Sequence, residues 1–320
     1  MTAPTYDLGK LHGGLRLPAH KRESTAELIK VAPIPSRLVL PIEQHVGSPA
    51  QPVVGVGDLV FKGQLVAKPD DELGAPVHAS SSGIVTAIEQ WPVSPRFGEA
   101  ATCIVIECDG KDTTGPAAAV TDYRKLNPAE LLPRILDGGI VGRGGAVFPT
   151  AQKLMQARTC EIDYLVLNGV ECEPYISCDD VLMRECAAEI LSGAQILMHA
   201  LQVNTCLLAV ESDKPEALLR LGQVLTELDD ERIVLKQVPS VYPSGGEDQL
   251  VQLVTGREVP SGGLPTDVGC VVQNVGTAAA IHDWIVNCEP LISRVTTVTG
   301  DGVSTPANIR ARIGTPVQDL

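Results

Sequence analysis

From residue 163 onward, short apolar runs alternate with longer stretches whose apolar positions recur at helical spacing. DYLVLNGV reads as a buried strand and CDDVLMRECAAEILSGAQILMHAL as one long helix. TCLLAVE, RIVLKQV and GCVVQNV read as further strands, and KPEALLRLGQVLTEL, GEDQLVQLVTG and TAAAIHDWIVN as the helices between and after them. Strands alternating with helices in this way imply an α/β domain with a largely parallel sheet. Upstream, PAELLPRILDGG predicts a helix capped by Asn127 with Pro128 at its first position. Pro133 lies near enough to the helix start to be tolerated as a mild kink.

Residues 37–109 follow a different pattern, in which RLVLPIEQHV, VGDLVFKGQLVA, APVHASSSGIVTAIE and TCIVIECDG are separated by Gly and Pro. Short punctuated runs of this kind predict a small β-domain. Residues 1–30 read as an extended lead-in, and 110–125 (GKDTTGPAAAVTDYRK) as a linker rich in Gly, Pro and Ala. The tail, SRVTTVTGDGVSTPANIRARIGTPVQDL, reads as the start of another small β-containing unit that ends abruptly. The expected division is 1–115 for the lead-in and β-domain, 116–292 for the α/β domain and 293–320 for the last unit.

A chain of 320 residues can bury the cores this division needs. Aromatics make up only 3%, so aliphatic side chains must fill those cores. No apolar run approaches the roughly 20 residues that cross a bilayer, and MTAPTYDLGKLHGG has no signal-peptide apolar region. The expectation is no direct membrane insertion, with docking on a membrane partner left open. The net charge of −14 would repel a phosphate backbone, which argues against nucleic acid as a partner. Any phosphate must instead be caught locally, by main-chain N–H groups and one or two cations. The nine cysteines include no CxxC, which fits a reducing compartment. Cys172, Cys178 and Cys186 are spaced too widely for an iron–sulfur run, so no metal ligand is assigned.

The densest chemical signal is GGIVGRGGAVFPTAQK at 138–153. Gly142, Gly144 and Gly145 allow close backbone approach to an anion, and Pro149 pre-sets the first turn of a helix. The free amides of a helix start favour a phosphate, and Lys153 lies one turn inside with reach back to the loop. Read as GxGxxG, the third glycine position falls on Val147, and the preceding segment is helical, so this is not a dinucleotide fingerprint.

GRGGAVFPTAQK resembles GRGGAGFPTGLKW, the flavin loop of the NADH-binding 51-kDa subunit of respiratory complex I. NGVECEPYISCDDVLM, YPSGGEDQL and QNVGTAAAI resemble that family's later motifs in the same order. LNGVECEPYISCDDVLMRE, YPSGGEDQL, LVTGREVPSGG and VVQNVGTA are closer still to the C subunit of the Rnf (Rsx) electron-transport complex. GDLVFKGQLVA followed by PVHASSSGIVTAI looks like the barrel-sandwich hybrid fold of lipoyl and biotinyl carriers, which precedes the flavin domain in that family. The setting of Lys68, AKPDDE, lacks a carrier's lysine motif, so Lys68 reads as a solvated loop lysine and His78 as structural.

The resemblance implies FMN and NADH as ligands. Gly142, Arg143, Gly144, Gly145 and Lys153 would cradle the FMN phosphate and ribityl chain. Asn168 and Glu171 would meet the flavin from a strand end, with Tyr242, Gly245 and Glu247 as a third wall and Asn274 as a fourth. Phe148 and Glu173, joined by Glu247, match positions that face the nicotinamide nucleotide. The family continues into two CxxCxxCxxxCP runs holding 4Fe-4S clusters, so this stretch is expected to be truncated before them. Its partners would be membrane and ferredoxin-type subunits at the cytoplasmic face of the inner membrane, in a complex that couples electron flow to ion translocation.

Three departures bear on this. Val147 replaces a loop glycine, Val170 an aspartate and Gly246 a glutamate. A branched side chain at 147 could crowd the flavin, which keeps open a second reading: a docking or scaffold domain of the same complex without flavin.

Overall fold

The computed structural model describes residues 6–7, 13–71, 73–93, 100–116 and 122–320. Residues 1–5 and 8–12 of the lead-in and 117–121 of the linker lie outside the described residues.

The lead-in contributes two short strands, β1 (Tyr6–Asp7) and β2 (Lys30–Val31). The β-domain holds β3 (Arg37–Pro41), β4 (Gln51–Pro52), β5 (Leu59–Val60), β6 (Leu65–Lys68), β7 (Val77–His78), β8 (Gly83–Pro92) and β9 (Ala100–Cys108). They form two antiparallel sheets, ordered β3-β9-β8-β5 and β4-β6-β7. Alternate residues turn inward, so Leu38, Leu40, Val66, Val85, Ile104 and Ile106 share one core. Lys68 is exposed at the end of β6.

The α/β domain runs α1 (Pro128–Asp137), α2 (Thr150–Ala157), β10 (Tyr164–Gly169), α3 (Cys178–Glu185), α4 (Ala187–Leu201), β11 (Cys206–Glu211), α5 (Pro215–Leu228), β12 (Ile233–Val238), α6 (Glu247–Thr255), β13 (Cys270–Asn274) and α7 (Val275–Asn287). The N-terminus of α1 carries a full capping box between Asn127 and Glu130, with Pro128 at the first position. The sheet is parallel throughout, ordered β1-β12-β11-β10-β13. Leu165 and Leu167 of β10 join the core under α4 and α7, while Val166 joins the core under α6. Burial on both faces is why these strands are apolar without a break.

Two features differ from the sequence expectation. The single long helix predicted from residue 178 is two, because Cys186 leaves helical geometry at φ −120° and ψ 35°. Neither Pro nor Gly marks that break. It lies where Glu185 accepts the amide of Ile29 and where Arg310 reaches Cys186 Sγ, so tertiary partners set it. The lead-in, grouped in sequence with the β-domain, pairs elsewhere. β1 lies parallel to β12, and β2 joins the hairpin of β14 (Ser293–Val298) and β15 (Ala307–Arg312) in the last unit.

Close packing constrains glycine at the helix crossing and at the joint between domains, among other places. A Cβ on Gly193 of α4 would lie 1.9 Å from the Ala278 carbonyl oxygen of α7. Gly138 and Gly139 form the joint between domains. A Cβ at Gly138 would strike the Trp284 ring at 2.5 Å, and one at Gly139 the Pro76 carbonyl at 2.4 Å. The Lys62 ammonium (3.3 Å) and the Arg312 guanidinium (2.8 Å) meet on Asp112, tying the β-domain to the last unit.

His78 is buried at this joint with its Nδ1 unpartnered, and burial drops its pKa from 6.5 to about 4. The folded state therefore binds fewer protons than the unfolded chain between these values. The stabilisation is complete above pH 6.5 and is lost as pH falls through about 4. His78→Leu is expected to flatten this acid slope, on the order of 3 kcal/mol, in urea unfolding across that range. Gly193→Ala is expected to destabilise by about 2–3 kcal/mol in the same assay at neutral pH, by overpacking the α4 and α7 crossing.

Candidate functional site

Strands β10, β11 and β12 succeed one another outward in one direction, and β13 then returns to the other side of β10. A crevice at the carboxyl ends of the strands opens at such a switch point. Asn274 ends β13, Asn168 is the last residue but one of β10, and the two are register partners. Both side chains are held. Asn168 donates to the Gly245 carbonyl at 2.9 Å and accepts from the Val170 amide at 3.1 Å. Asn274 caps α7 by accepting from the Gly276 amide at 2.8 Å, and donates to the Asp179 carboxylate at 2.5 Å.

The glycine loop rises beside Asn274. Its base is closed where the Gly142 amide donates to the Phe148 carbonyl at 2.8 Å and the Thr150 amide to the Ile140 carbonyl at 3.0 Å. Between these ties Gly144, Gly145 and Ala146 are exposed, and none of their amides donates to an acceptor among the described residues. A Cβ at Gly145 would meet nothing, and one at Gly144 only Asn274 at 3.8 Å. The Arg143 amide donates to Thr277 Oγ1 at 3.0 Å, fixing the loop to the first turn of α7. Its guanidinium is packed inward. Burial and the neighbouring Arg294 pull its pKa down to about 10, against the favourable charge of Asp179.

Val147 carries the loop's conformational strain, with φ at +49°. A β-branched residue is an outlier there, at a cost of about 1–2 kcal/mol. Its carbonyl accepts from the Val46 amide at 3.1 Å. It also lines a cavity of about 760 Å³ with Val39, His45, Trp91 and Pro316, residues of the β-domain and the last unit.

The remaining expected residues fall into two groups. Lys153 of α2 and Glu247, at the start of α6, form an ion pair of 2.5 Å. With the bond from Asn168 to Gly245, this links the loop, Asn274, Asn168, Gly245, Glu247, Lys153 and α2 into one ring of neighbours. Phe148 is half-buried at the base of the loop. The second group lies outside that ring. Glu171 is buried, and its carboxylate accepts the amides of Asp179 (2.7 Å) and Asp180 (3.2 Å), capping α3. Burial and Asp179 push its pKa up to about 7 despite Lys21. Tyr242 exchanges backbone hydrogen bonds with Leu15, and Glu173 is exposed.

Sequence reasoning left several neighbours unnamed. Residues 15–25 of the lead-in cross the carboxyl ends of β10 and β11, and Lys21 reaches Glu171 from there. Lys214 is fully buried between Glu211 (3.0 Å) and Asp213 (2.9 Å). Asp179, Thr277 and Arg294 surround Arg143. Asp179 and Thr277 lie inside the motifs quoted above but carried no role there, and nothing in the sequence pointed to Arg294. Among the described residues, Glu171, Cys178 and Asp179 bring possible metal-ligating atoms within 4.8 Å of one another. Both carboxylates already hold N–H donors, and burial raises the Cys178 pKa, so the trio acts as the packed start of α3.

Known proteins share both halves of this arrangement. The sequence profile of the Nuo51 FMN-binding domain matches residues 135–283, and that of the RnfC barrel sandwich hybrid domain matches residues 9–111. The C subunit of the ion-translocating oxidoreductase complex of Pseudomonas aeruginosa is 49% identical over 96% of this chain and 39% of its own length. Its counterpart in Serratia proteamaculans is 44% identical over 96% of this chain and 43% of its own length. The chain thus spans about two fifths of these relatives. Solved structures of an NAD+-reducing [NiFe]-hydrogenase, air-oxidised and H2-reduced, share the fold with TM-scores of 0.51 and 0.52. They are 24% identical over 64% of this chain, and cover 40% and 41% of those chains.

Asn168→Ala would leave the Gly245 carbonyl and Val170 amide without their partner. The expected loss is about 1–2 kcal/mol of stability in ligand-free urea unfolding, since the site is only half-buried.

Proposed function

This chain belongs to the RnfC family, and on that premise we propose that it is the flavin- and NADH-handling part of an electron-transfer subunit. NADH would be oxidised at an FMN seated in the crevice. Electrons would leave through two 4Fe-4S clusters outside this stretch, toward membrane and ferredoxin-type subunits that couple their flow to ion translocation. The proposed place is peripheral, at the cytoplasmic face of the inner membrane. Among the described residues, no helix is long and apolar enough to cross a membrane.

The observation that carries the reading is the glycine loop, whose residues 144–146 are exposed and whose three amides meet no acceptor among the described residues, beside open space at Gly145. That donor set suits a phosphate ester, because oriented main-chain N–H groups and a helix start favour an anion without any side chain having to reorganise. The residues present therefore fit FMN. Gly142, Gly144 and Gly145 would hold its phosphate and ribityl chain, with Arg143 backing the loop from inside. Asn168 and Asn274 would flank the ring, and Gly245 and Glu247 would close the far wall. When bound, FMN takes up a hydride as an electron pair and releases electrons singly.

The chain's own residues have the tasks of holding and orienting. Phe148 and Glu173 would meet the nicotinamide nucleotide. Carboxylates at its hydroxyls give direction through charge-assisted hydrogen bonds, which is the task proposed for Glu173 and Glu247. Lys153 would steady Glu247 and add positive charge at the start of α2. Glu171 would act by fixing the turn from β10 into α3. The scaffold reading rested on Val147. That residue borders a cavity it shares with the β-domain and the last unit, and the lining of that cavity includes neither Asn168 nor Asn274.

Titration with FMN is expected to quench flavin fluorescence at micromolar concentrations, and NADH to bleach the bound flavin. Absence of binding would favour the scaffold reading. Gly145→Val adds a side chain into space that no protein atom occupies. It is expected to leave the melting temperature unchanged while weakening FMN more than about tenfold.

A further inference from the structure

We propose that Arg294, supplied by the C-terminal β unit, is a phosphate-binding residue of the glycine loop. The inference rests on the flavin reading and extends it to a residue outside the matched flavin domain. Arg294 stands in β14, is exposed, and donates from Nη2 to the Arg143 carbonyl at 2.9 Å. That carbonyl lies between Gly142 and Gly144, so the guanidinium is anchored on the backbone of the loop itself. A guanidinium carries five N–H donors in a planar fork. The others on Arg294 meet no acceptor among the described residues.

The balance of charge around the loop points the same way. Lys153, the cation first expected at the phosphate, is engaged by Glu247 at 2.5 Å. Arg143 is turned inward, toward the region of Asp179. Arg294 lies close enough to disfavour the charge on Arg143, yet neither forms an ion pair with a carboxylate among the described residues. In a chain of net charge −14, two adjacent arginines that form no ion pair among the described residues, with Asp179 the carboxylate near both, stand beside loop amides that meet no described acceptor and form a place for an anion. An arginine fork matches the geometry of a phosphate, which lysine meets only as a point charge. The phosphate is that of FMN or the pyrophosphate of the dinucleotide. Both present the same oxygens to the fork.

Binding of FMN, riboflavin and ADP-ribose to the chain and to its Arg294→Gln and Arg294→Lys variants tests this. Riboflavin lacks the phosphate, and ADP-ribose carries only the pyrophosphate. With the melting temperature unchanged, Arg294→Gln is expected to weaken FMN about ten- to a hundredfold and leave riboflavin as it was, with partial rescue by Arg294→Lys. Weakened ADP-ribose with unchanged FMN would support the site and assign the phosphate to the dinucleotide. The proposal is overturned if neither phosphate-bearing probe responds, or if riboflavin weakens as much as FMN. Should the unaltered chain bind neither flavin, the flavin reading falls separately. Arg294 is then judged on ADP-ribose alone: protection against thermal unfolding that Arg294→Gln abolishes supports it, and no protection overturns it.

Discussion

The register that sets Asn168 beside Asn274 governs the rest of the site. Two adjacent parallel strands end within one residue of each other, and each carries a short amide side chain at or next to its last position. Neither amide is free to move. One holds the turn before α6 through Gly245, and the other caps α7 and holds Asp179. A one-residue slip of either strand would turn its amide to the opposite face of the sheet, because side chains alternate with a period of two. The two amide anchors, and not the apolar runs that bury both faces of β10 and β13, therefore mark the register on which the site depends.

The α/β elements were legible because each strand is buried on both faces and each helix shows a clear apolar stripe. The capping box at Asn127 and Glu130 is local chemistry, readable from four residues. What could not be read is what depends on distant partners. Cys186 breaks a helix that every nearby residue would continue, and its neighbours there are Ile29 and Arg310. The lead-in has no strong pattern of its own, because β1 and β2 are two residues each and borrow their order from longer strands.

The candidate site shows the same division. Its loop was legible as glycine spacing followed by a proline and a helix, all within one short segment. Its electrostatics were not. The pairing of Lys153 with Glu247 spans 94 positions, and that of Arg294 with the Arg143 carbonyl spans 151. Motif resemblance assigns a charged residue its customary role without saying which opposite charge lies nearest. In this fold the nearest opposite charge redirects Lys153 toward α6, while the amides at the start of α3 claim Glu171.

Val147 has a wider consequence. The left-handed backbone at that position is what a glycine would adopt freely, and the chain keeps it with a branched residue. The shape of the loop is therefore dictated by its surroundings: the Val46 bond, the closed base and the Thr277 anchor outvote the preference of the residue itself. A cradle enforced from outside tolerates drift at its rear while its front stays bare main chain. Relatives can then differ at this valine without altering the surface turned toward the crevice, and a missing motif glycine is by itself poor grounds for declaring such a cradle lost.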